Sequence, residues 1–247
     1  MAQDIAGGAD LNLVRQFVSQ FRPEFTDNFE VAFRSSFFDR RLRFNANAFY
    51  TDWTDQQLVV GLSTLQQDEI GFNVGSSTLK GFELDAYVIP AKGWFVQGVL
   101  GHVQTQFRDF DAALAATLIE AQNVLAPIGL EDALAAFEGR EFAFAPPWSG
   151  ALQVGFDDPE ASKLFGVFGM TYEAGSNVNN IQALSPTFLD NDARVLLNAS
   201  FGVRLKNFTI ALVGRNLLDR DFVASGGDEQ VRLGPQRQIG LRIQSNF

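Results

Sequence analysis

The sequence has 247 residues, 46% hydrophobic and 19% charged, enough apolar material to order a sizeable structure and unlike the composition of a disordered segment. It contains no cysteine, which excludes disulfide frameworks, thiolate metal sites, iron–sulfur clusters and cysteine nucleophiles, and one histidine, His102. Acidic side chains outnumber basic ones 29 to 19, so the counterion-release drive behind nucleic-acid binding is absent and no nucleic-acid partner is expected. No uninterrupted apolar run of about 18 residues occurs, which excludes a membrane-spanning helix but leaves membrane-spanning strands open. The counts of 25 Phe and 22 Gly favour such strands, because barrel walls use aromatic lipid contacts and tight strand geometry.

Residues 1–6 lack the basic head and apolar stretch of an export signal, so either a signal has been removed or the chain is a piece of a longer one. In residues 1–27, Leu13, Phe17 and Phe21 step by four, a helical spacing, and the segment is read as an external loop or strand remnant. Period-two alternation then begins. Residues 28–38 set Phe29, Val31, Phe33 and Phe37 against Glu30, Arg34 and Ser36. Residues 42–50 set Leu42, Phe44, Ala46, Ala48 and Tyr50 against Arg43, Asn45 and Asn47, and Asp39-Arg40 between the runs suits a hairpin turn. A third strand sets Phe82, Leu84, Ala86 and Val88 against Glu83, Asp85 and Tyr87, ending at the turn Pro90-Ala91-Lys92-Gly93. Residues 94–107 form a fourth strand whose faces are poorly separated. The remaining strands are read at 149–156, 164–172, 195–205, 208–214 and 238–247.

Nine strands result, and their connections alternate in length. Short turns follow strands one, three, five and seven; long loops at about 54–71, 109–146, 173–194 and 217–237 follow the others. Short and long connections therefore gather at opposite ends of an antiparallel up-and-down sheet, as in outer-membrane barrels. The longest loop is expected to contain helix at 111–124, stopped by Pro127. A soluble β-sandwich would also alternate, but its outer face is usually dense in Lys and Glu; here that face holds Asn, Gln, Ser, Gly and scattered Arg and Glu, which suits a lumen. Trp94 beside a short turn, and Tyr50, Trp53, Trp148 and Tyr172 beside long loops, match two interfacial aromatic belts. The fold class expected is all-β: an antiparallel up-and-down transmembrane β-barrel built from residues 28–247. An odd strand number leaves two unsatisfied edges in lipid, so these strands are expected to belong to a larger wall.

Five places resemble the C-terminal half of a TonB-dependent outer-membrane receptor, which implies that residues 28–247 are the C-terminal part of its β-barrel domain. Pro23-Glu24-Phe25-Thr26-Asp27-Asn28-Phe29-Glu30 looks like the family's segment entering a barrel strand, and Asn47-Ala48-Phe49-Tyr50-Thr51-Asp52-Trp53 like the strand that follows. Asn73-Val74-Gly75 with Lys80-Gly81-Phe82-Glu83-Leu84 is similar to its Asn-x-Gly…Gly-x-Glu strand. Asn216-Leu217-Leu218-Asp219-Arg220-Asp221-Phe222 resembles its Asn-Leu-Phe-Asp-x-x-Tyr signature, with Leu218 and Phe222 departing from the aromatic positions, and Gly234-Pro235-Gln236-Arg237 leads to a closing strand. The resemblance implies a barrel of 22 strands around an N-terminal plug, of which nine are less than half, hence a truncated receptor or a piece of a longer product. It implies a bacterial outer-membrane location and uptake of a small nutrient complex (siderophore, vitamin cofactor, metal or glycan). The implied partners are outer-membrane lipid and lipopolysaccharide, the barrel-assembly machinery, and a TonB-type energising protein that acts through the missing N-terminal part. The assembly machinery reads a terminal aromatic on an alternating strand, here Phe247 with Ile243, Leu241 and Ile239, although Ser245 departs from the apolar pattern. A passive or structural barrel without energy coupling is the alternative, with a soluble ligand-binding β-sandwich behind it.

Catalysis has little support. His102 lies mid-strand with no nearby acidic residue in sequence to orient it, and reads as a wall histidine. The pairs Asp52/Asp55, Asp109/Asp111, Glu131/Asp132 and Asp157/Asp158 read as solvated loop charge, with a cation site bridging lipopolysaccharide as the sharper option. No phosphate-binding glycine loop is present, and Asn198-Ala199-Ser200 and Asn207-Phe208-Thr209 match a glycosylation pattern by coincidence. No enzyme activity, cofactor or metal is expected. Loop residues such as Phe188, Asn179, Asn180 and Gln182 could touch a ligand but could as easily cover the barrel mouth, so no ligand-binding residue is assigned.

Overall fold

A computed structural model describes residues 22–61, 69–109, 139–177, 190–226 and 231–245. The helix expected at 111–124, Glu131 and Asp132, the loop residues Asn179, Asn180, Gln182 and Phe188, and Phe247 lie outside the described residues. The strands in chain order are β1 (Phe25–Phe37), β2 (Leu42–Gly61), β3 (Glu69–Val88), β4 (Trp94–Arg108), β5 (Trp148–Asp157), β6 (Leu164–Glu173), β7 (Ser176–Asn177), β8 (Asp190–Asn191), β9 (Arg194–Arg204), β10 (Phe208–Arg215), β11 (Val223–Gly226), β12 (Val231–Leu233) and β13 (Gln238–Ser245). Nine of them form one sheet in the order β1-β2-β3-β4-β5-β6-β9-β10-β13. Every adjacent pair is antiparallel. These are the nine strands the alternation predicts, with short turns at one end and long connections at the other. Two small ladders, β7–β8 and β11–β12, lie within the last two long connections. Among the described residues the outer edges of β1 and β13 have no strand partner.

One expectation is corrected. Residues 54–71 were expected to be a loop, but β2 and β3 continue pairing from Gln57↔Asn73 to Gly61↔Glu69. Two register shifts, between Trp53 and Gln56 and between Gln56 and Gln57, precede this extension, and Asp55 adopts a φ of 52° there. A bulge inserts an unpaired residue and breaks period two locally, so the strand continues where the sequence pattern stops.

Because directly opposed residues share a face, the registers divide the sheet into two surfaces. One carries Phe29, Val31, Phe33 and Phe37 of β1, Leu42 to Tyr50 in alternation on β2, and Phe82 to Val88 on β3. It continues through Trp94, Val96, Leu100 and His102 of β4, which the sequence alone could not orient, and through Trp148, Leu152, Val154 and Phe156 of β5. Phe168 and Tyr172, then Leu197 and Phe201, then Leu212, and last Ile239, Leu241 and Ile243 complete it. This apolar face is not covered by a second layer. Among the described residues only Phe107 and Ala211 are buried apolar side chains, whereas Phe29, Val31, Phe168, Phe201 and Leu212 are exposed. A water-soluble sandwich would bury those residues against a facing sheet.

Phenylalanine and glycine meet on the sheet as cross-strand pairs. A Cβ placed on Gly155 would lie 2.3 Å from two ring atoms of its register partner Phe95, and one on Gly202 would lie 2.4 Å from the ring of its partner Phe165. In these pairs each aromatic ring lies over a neighbouring backbone that has no side chain of its own.

Candidate functional site

The opposite face carries the chemistry. In successive register rows it presents Asn47, Glu83, Ser149 and Glu173; then Arg34, Asn45, Asp85 and Thr171; then Ser36, Arg43, Tyr87 and Gln97. Asn45 Nδ2 donates to Asp85 Oδ1 at 2.9 Å, and the Arg43 guanidinium lies 4.8 Å from the centre of the Tyr87 ring, which is itself stacked on Phe95. Two concavities of about 510 and 590 Å³ open on this face; both include Arg34, Asn45 and Asp85, and the larger also reaches Glu83, Thr171 and Glu173. Near the short turns Arg204 grips Asp157 through both guanidinium nitrogens, at 2.7 and 2.8 Å, and lies over Phe165. That fork geometry holds β9 against the β5–β6 turn. At the long-loop end, residues 139–147 fold over the same face: Phe142 contacts Phe107 at 4.5 Å and Trp53 at 6.5 Å between ring centroids, and its N–H donates to Thr105 Oγ1. Trp53 therefore points to the polar face, while Tyr50, Trp94, Trp148 and Tyr172 stand on the apolar one.

The motif residues become structural hubs. Asn73 Oδ1 accepts from the Arg22 N–H, and its Nδ2 donates to the carbonyls of Arg22 and Asp55, tying the chain before β1 to the β2 bulge. Asn216, almost fully buried and at a φ of 46°, donates from Nδ2 to the carbonyls of Arg220 and Pro235 and accepts the Arg220 N–H. Its own N–H donates to Asn198 Oδ1. Asp219 Oδ1 accepts the Arg237 N–H at 2.8 Å. The two separate sequence segments 216–222 and 234–237 are thus bonded into one turn. Asn is among the few side chains that tolerate a positive φ.

Sequence reasoning missed two further clips at this end. Asn191 pairs with the Val223 backbone in both directions, at 3.0 and 3.1 Å, as a strand neighbour would. Arg194 pairs with Glu173 and stacks over Phe222, whose ring lies against Gly234. Short polar residues in loops read simply as turn formers, so only their buried positions betray them. Replacing Asn216 by Ala removes three side-chain bonds and leaves buried carbonyls unpaired, about 2–4 kcal/mol of local stability. The expected result is protease cleavage within residues 217–237, read by mass spectrometry of the fragments, with the rest of the sheet intact.

The other predicted positions are placed as follows. Ile239, Leu241 and Ile243 lie on the apolar face of β13 and are 68%, 65% and 62% exposed, a continuous apolar stripe. His102 stands on the apolar face next to Trp148, and its Nδ1 donates to the Pro147 carbonyl at 2.7 Å. The acidic pairs are not simply solvated. Asp52 pairs with Arg108 and Asp55 with Arg22, Asp109 accepts from Ser76 Oγ, and buried Asp158 accepts the N–H groups of Glu160 and Ala161. Among the described residues no group of three or more acidic or histidine side chains is arranged to hold a metal ion.

The family model described as TonB dependent receptor-like, beta-barrel matches residues 3–217. Among solved structures, the ferric yersiniabactin uptake receptor FyuA from Yersinia pestis is 18% identical with a TM-score of 0.68, the match covering 92% of this chain and 31% of that one. The ferric-catecholate import receptor Fiu from E. coli K12 is 17% identical with a TM-score of 0.65, covering 90% and 27%. The pyoverdine outer membrane receptor FpvA from Pseudomonas aeruginosa PAO1 is 16% identical with a TM-score of 0.65, covering 92% and 30%. No curated protein sequence matches. The chain spans between 27% and 31% of the length of these three receptors, and its likeness to them is one of fold. With the family model spanning most of its length, and a two-faced antiparallel sheet of nine strands, the chain belongs to the TonB-dependent receptor family, in its β-barrel part.

Proposed function

We propose that this chain forms part of the wall of a bacterial outer-membrane receptor that imports a small nutrient complex under the drive of a TonB-type energising protein. In this reading the apolar face meets lipid, the polar face lines the lumen, and the free edges of β1 and β13 join further strands of the wall. The barrel part then begins with β1 at Phe25, three residues ahead of the boundary at 28 read from the alternation, and the residues before it form an external segment. The single observation that carries the reading is the uncovered apolar face, continuous over nine strands and opposite a face of Asn, Gln, Ser, Arg and carboxylate side chains. The structural relatives FyuA and Fiu are receptors for ferric chelates, so a ferric chelate is the first ligand class to test. The outward stripe Ile239, Leu241 and Ile243, together with Phe247, serves as the signal for the barrel-assembly machinery.

The test is uptake by cells that lack their own ferric-chelate receptors and express the full gene product containing this sequence. Radioiron-loaded catecholate, hydroxamate and mixed-ligand siderophores are supplied with and without a functional energising protein. Accumulation of at least one chelate that disappears without energy coupling is expected. Accumulation insensitive to energy coupling would instead identify a passive barrel.

A further inference from the structure

The four short connections are braced into one row. Between the turns 38–41 and 89–93, the Ile89 N–H donates to the Arg41 carbonyl at 2.8 Å. Between 89–93 and 158–163, the Asp157 N–H donates to the Gly93 carbonyl at 2.7 Å, and Lys92 pairs with Glu160 at 2.8 Å. Between 158–163 and 205–207, the Arg204 N–H donates to the Lys163 carbonyl at 2.8 Å, beside the Arg204–Asp157 fork. Each turn is tied to the next through the main chain, so the edge has little freedom to splay.

This edge is basic in an acidic chain. Against a net charge of −10, Arg40, Arg41, Lys163 and Lys206 are exposed at the turns with no ion-pair partner among the described residues. Of the carboxylates here, Asp157 is held by Arg204, Glu160 by Lys92 and buried Asp158 by backbone N–H groups, which leaves Asp39. Phe38, Asp39 and Arg40 take φ values of 55°, 53° and 67°, and Phe38 is 75% exposed. Three consecutive residues other than glycine are thus held in the left-handed region, and the strained turn keeps an aromatic ring and two arginines in the open.

We infer that this edge docks on a carboxylate-rich glycan–peptide polymer, the cell wall that lies beneath an outer membrane. The inference rests on the function proposed above, in which the long loops are external and the short turns face the space under the membrane. The geometry selects a linear occupant. Neighbouring turns are two strand spacings apart, about 10 Å, so the cations form a line with a regular step. A wall polymer carries its peptide carboxylates at a comparable step, set by its disaccharide repeat, whereas a folded protein or a fluid lipid leaflet has no such repeat. Guanidinium and ammonium groups meet carboxylates in charge-assisted contacts that salt screens. The Phe38 ring gives the same polymer an apolar surface for a sugar face. Lys92 and Glu160 are 72% and 80% exposed, so their pair opens at little cost and lends a further cation.

The test is co-sedimentation of the full-length protein containing this sequence, in detergent, with purified cell-wall sacculi. Binding is expected to saturate, to fall as salt rises from about 0.05 to about 0.5 M, and to vanish on sacculi whose carboxylates are capped as neutral amides. The combined Arg40→Gln, Arg41→Gln, Lys163→Gln, Lys206→Gln variant is expected to bind about tenfold more weakly, and Phe38→Ser about threefold more weakly. A combined variant that sediments like the parent overturns the inference. So does displacement by polyglutamate or by phosphatidylglycerol micelles as effective as that by soluble wall fragments of matched charge, because any polyanion or an anionic lipid would then serve. Labelling of Ala91→Cys by a membrane-impermeant maleimide separates this proposal from the reading beneath it. Protection in intact cells, with labelling once the outer membrane is opened, is expected; labelling in intact cells would count against the assigned topology itself.

Discussion

Arginine in place of Phe168 is expected to destabilise the inserted barrel by about 2–4 kcal/mol, the depth-dependent penalty for a cation on the lipid side of a strand near the bilayer middle. Phe168 is central in β6, on the apolar face, between register partners Val154 and Ala199, and 46% exposed. No carboxylate stands in its row, so the guanidinium would have to reach the interface past several apolar neighbours. Three residues on, Thr171 points to the other face and borders the larger concavity. Thr171→Arg is therefore expected to change stability by less than about 1 kcal/mol. Denaturant titration of both variants in lipid vesicles, followed by tryptophan emission, measures the difference. Equal penalties at the two positions would mean that the faces have been assigned the wrong way round, or that neither meets lipid.

Alanine at Gly155 is expected to cost about 1–3 kcal/mol, as for other overpacked sites. The added methyl would lie 2.3 Å from the Phe95 ring and 3.2 Å from the Gly166 carbonyl oxygen. The ring has little freedom to leave, because it is stacked on Tyr87 at 6.1 Å with only 11° between the planes. Shortening it should relieve the clash: Phe95→Leu alone loses packing, but the Gly155→Ala, Phe95→Leu pair should be more stable than the sum of its single effects by about 1 kcal/mol. A double-mutant cycle in the same titration reads that coupling. Strict additivity would show that the ring–glycine contact contributes nothing.

Strand positions were legible because lipid and lumen impose unlike faces, and unlike faces impose period two. The turn at Asp39-Arg40 and that at Pro90-Ala91-Lys92-Gly93 were legible from residues suited to tight reversals. Where one strand departs from its neighbour's register the signal fails, as at Trp53 to Gln57, and an extension of the β2–β3 pair went unseen. Trp53 was likewise assigned to an interfacial belt from its position alone, yet its ring is committed to Phe142 on the polar side. The hubs built by Asn191 and Asn216 depend on partners at sequence separations of up to 32 residues, which local composition does not encode. Asp52 and Asp157 looked like solvated loop charge because their partners Arg108 and Arg204 arrive from other strands.

In the sheet every strand lies beside its successor among the nine, with nothing threaded between distant parts of the chain. Growth can therefore proceed by laying each new hairpin against the last, and the entropy lost at every step depends on one connecting loop and not on the girth of the finished cylinder. The same wiring lets evolution widen or narrow such a pore by whole hairpins, because adding two strands returns the chain to the side it left and leaves the inside–outside alternation of every other strand undisturbed.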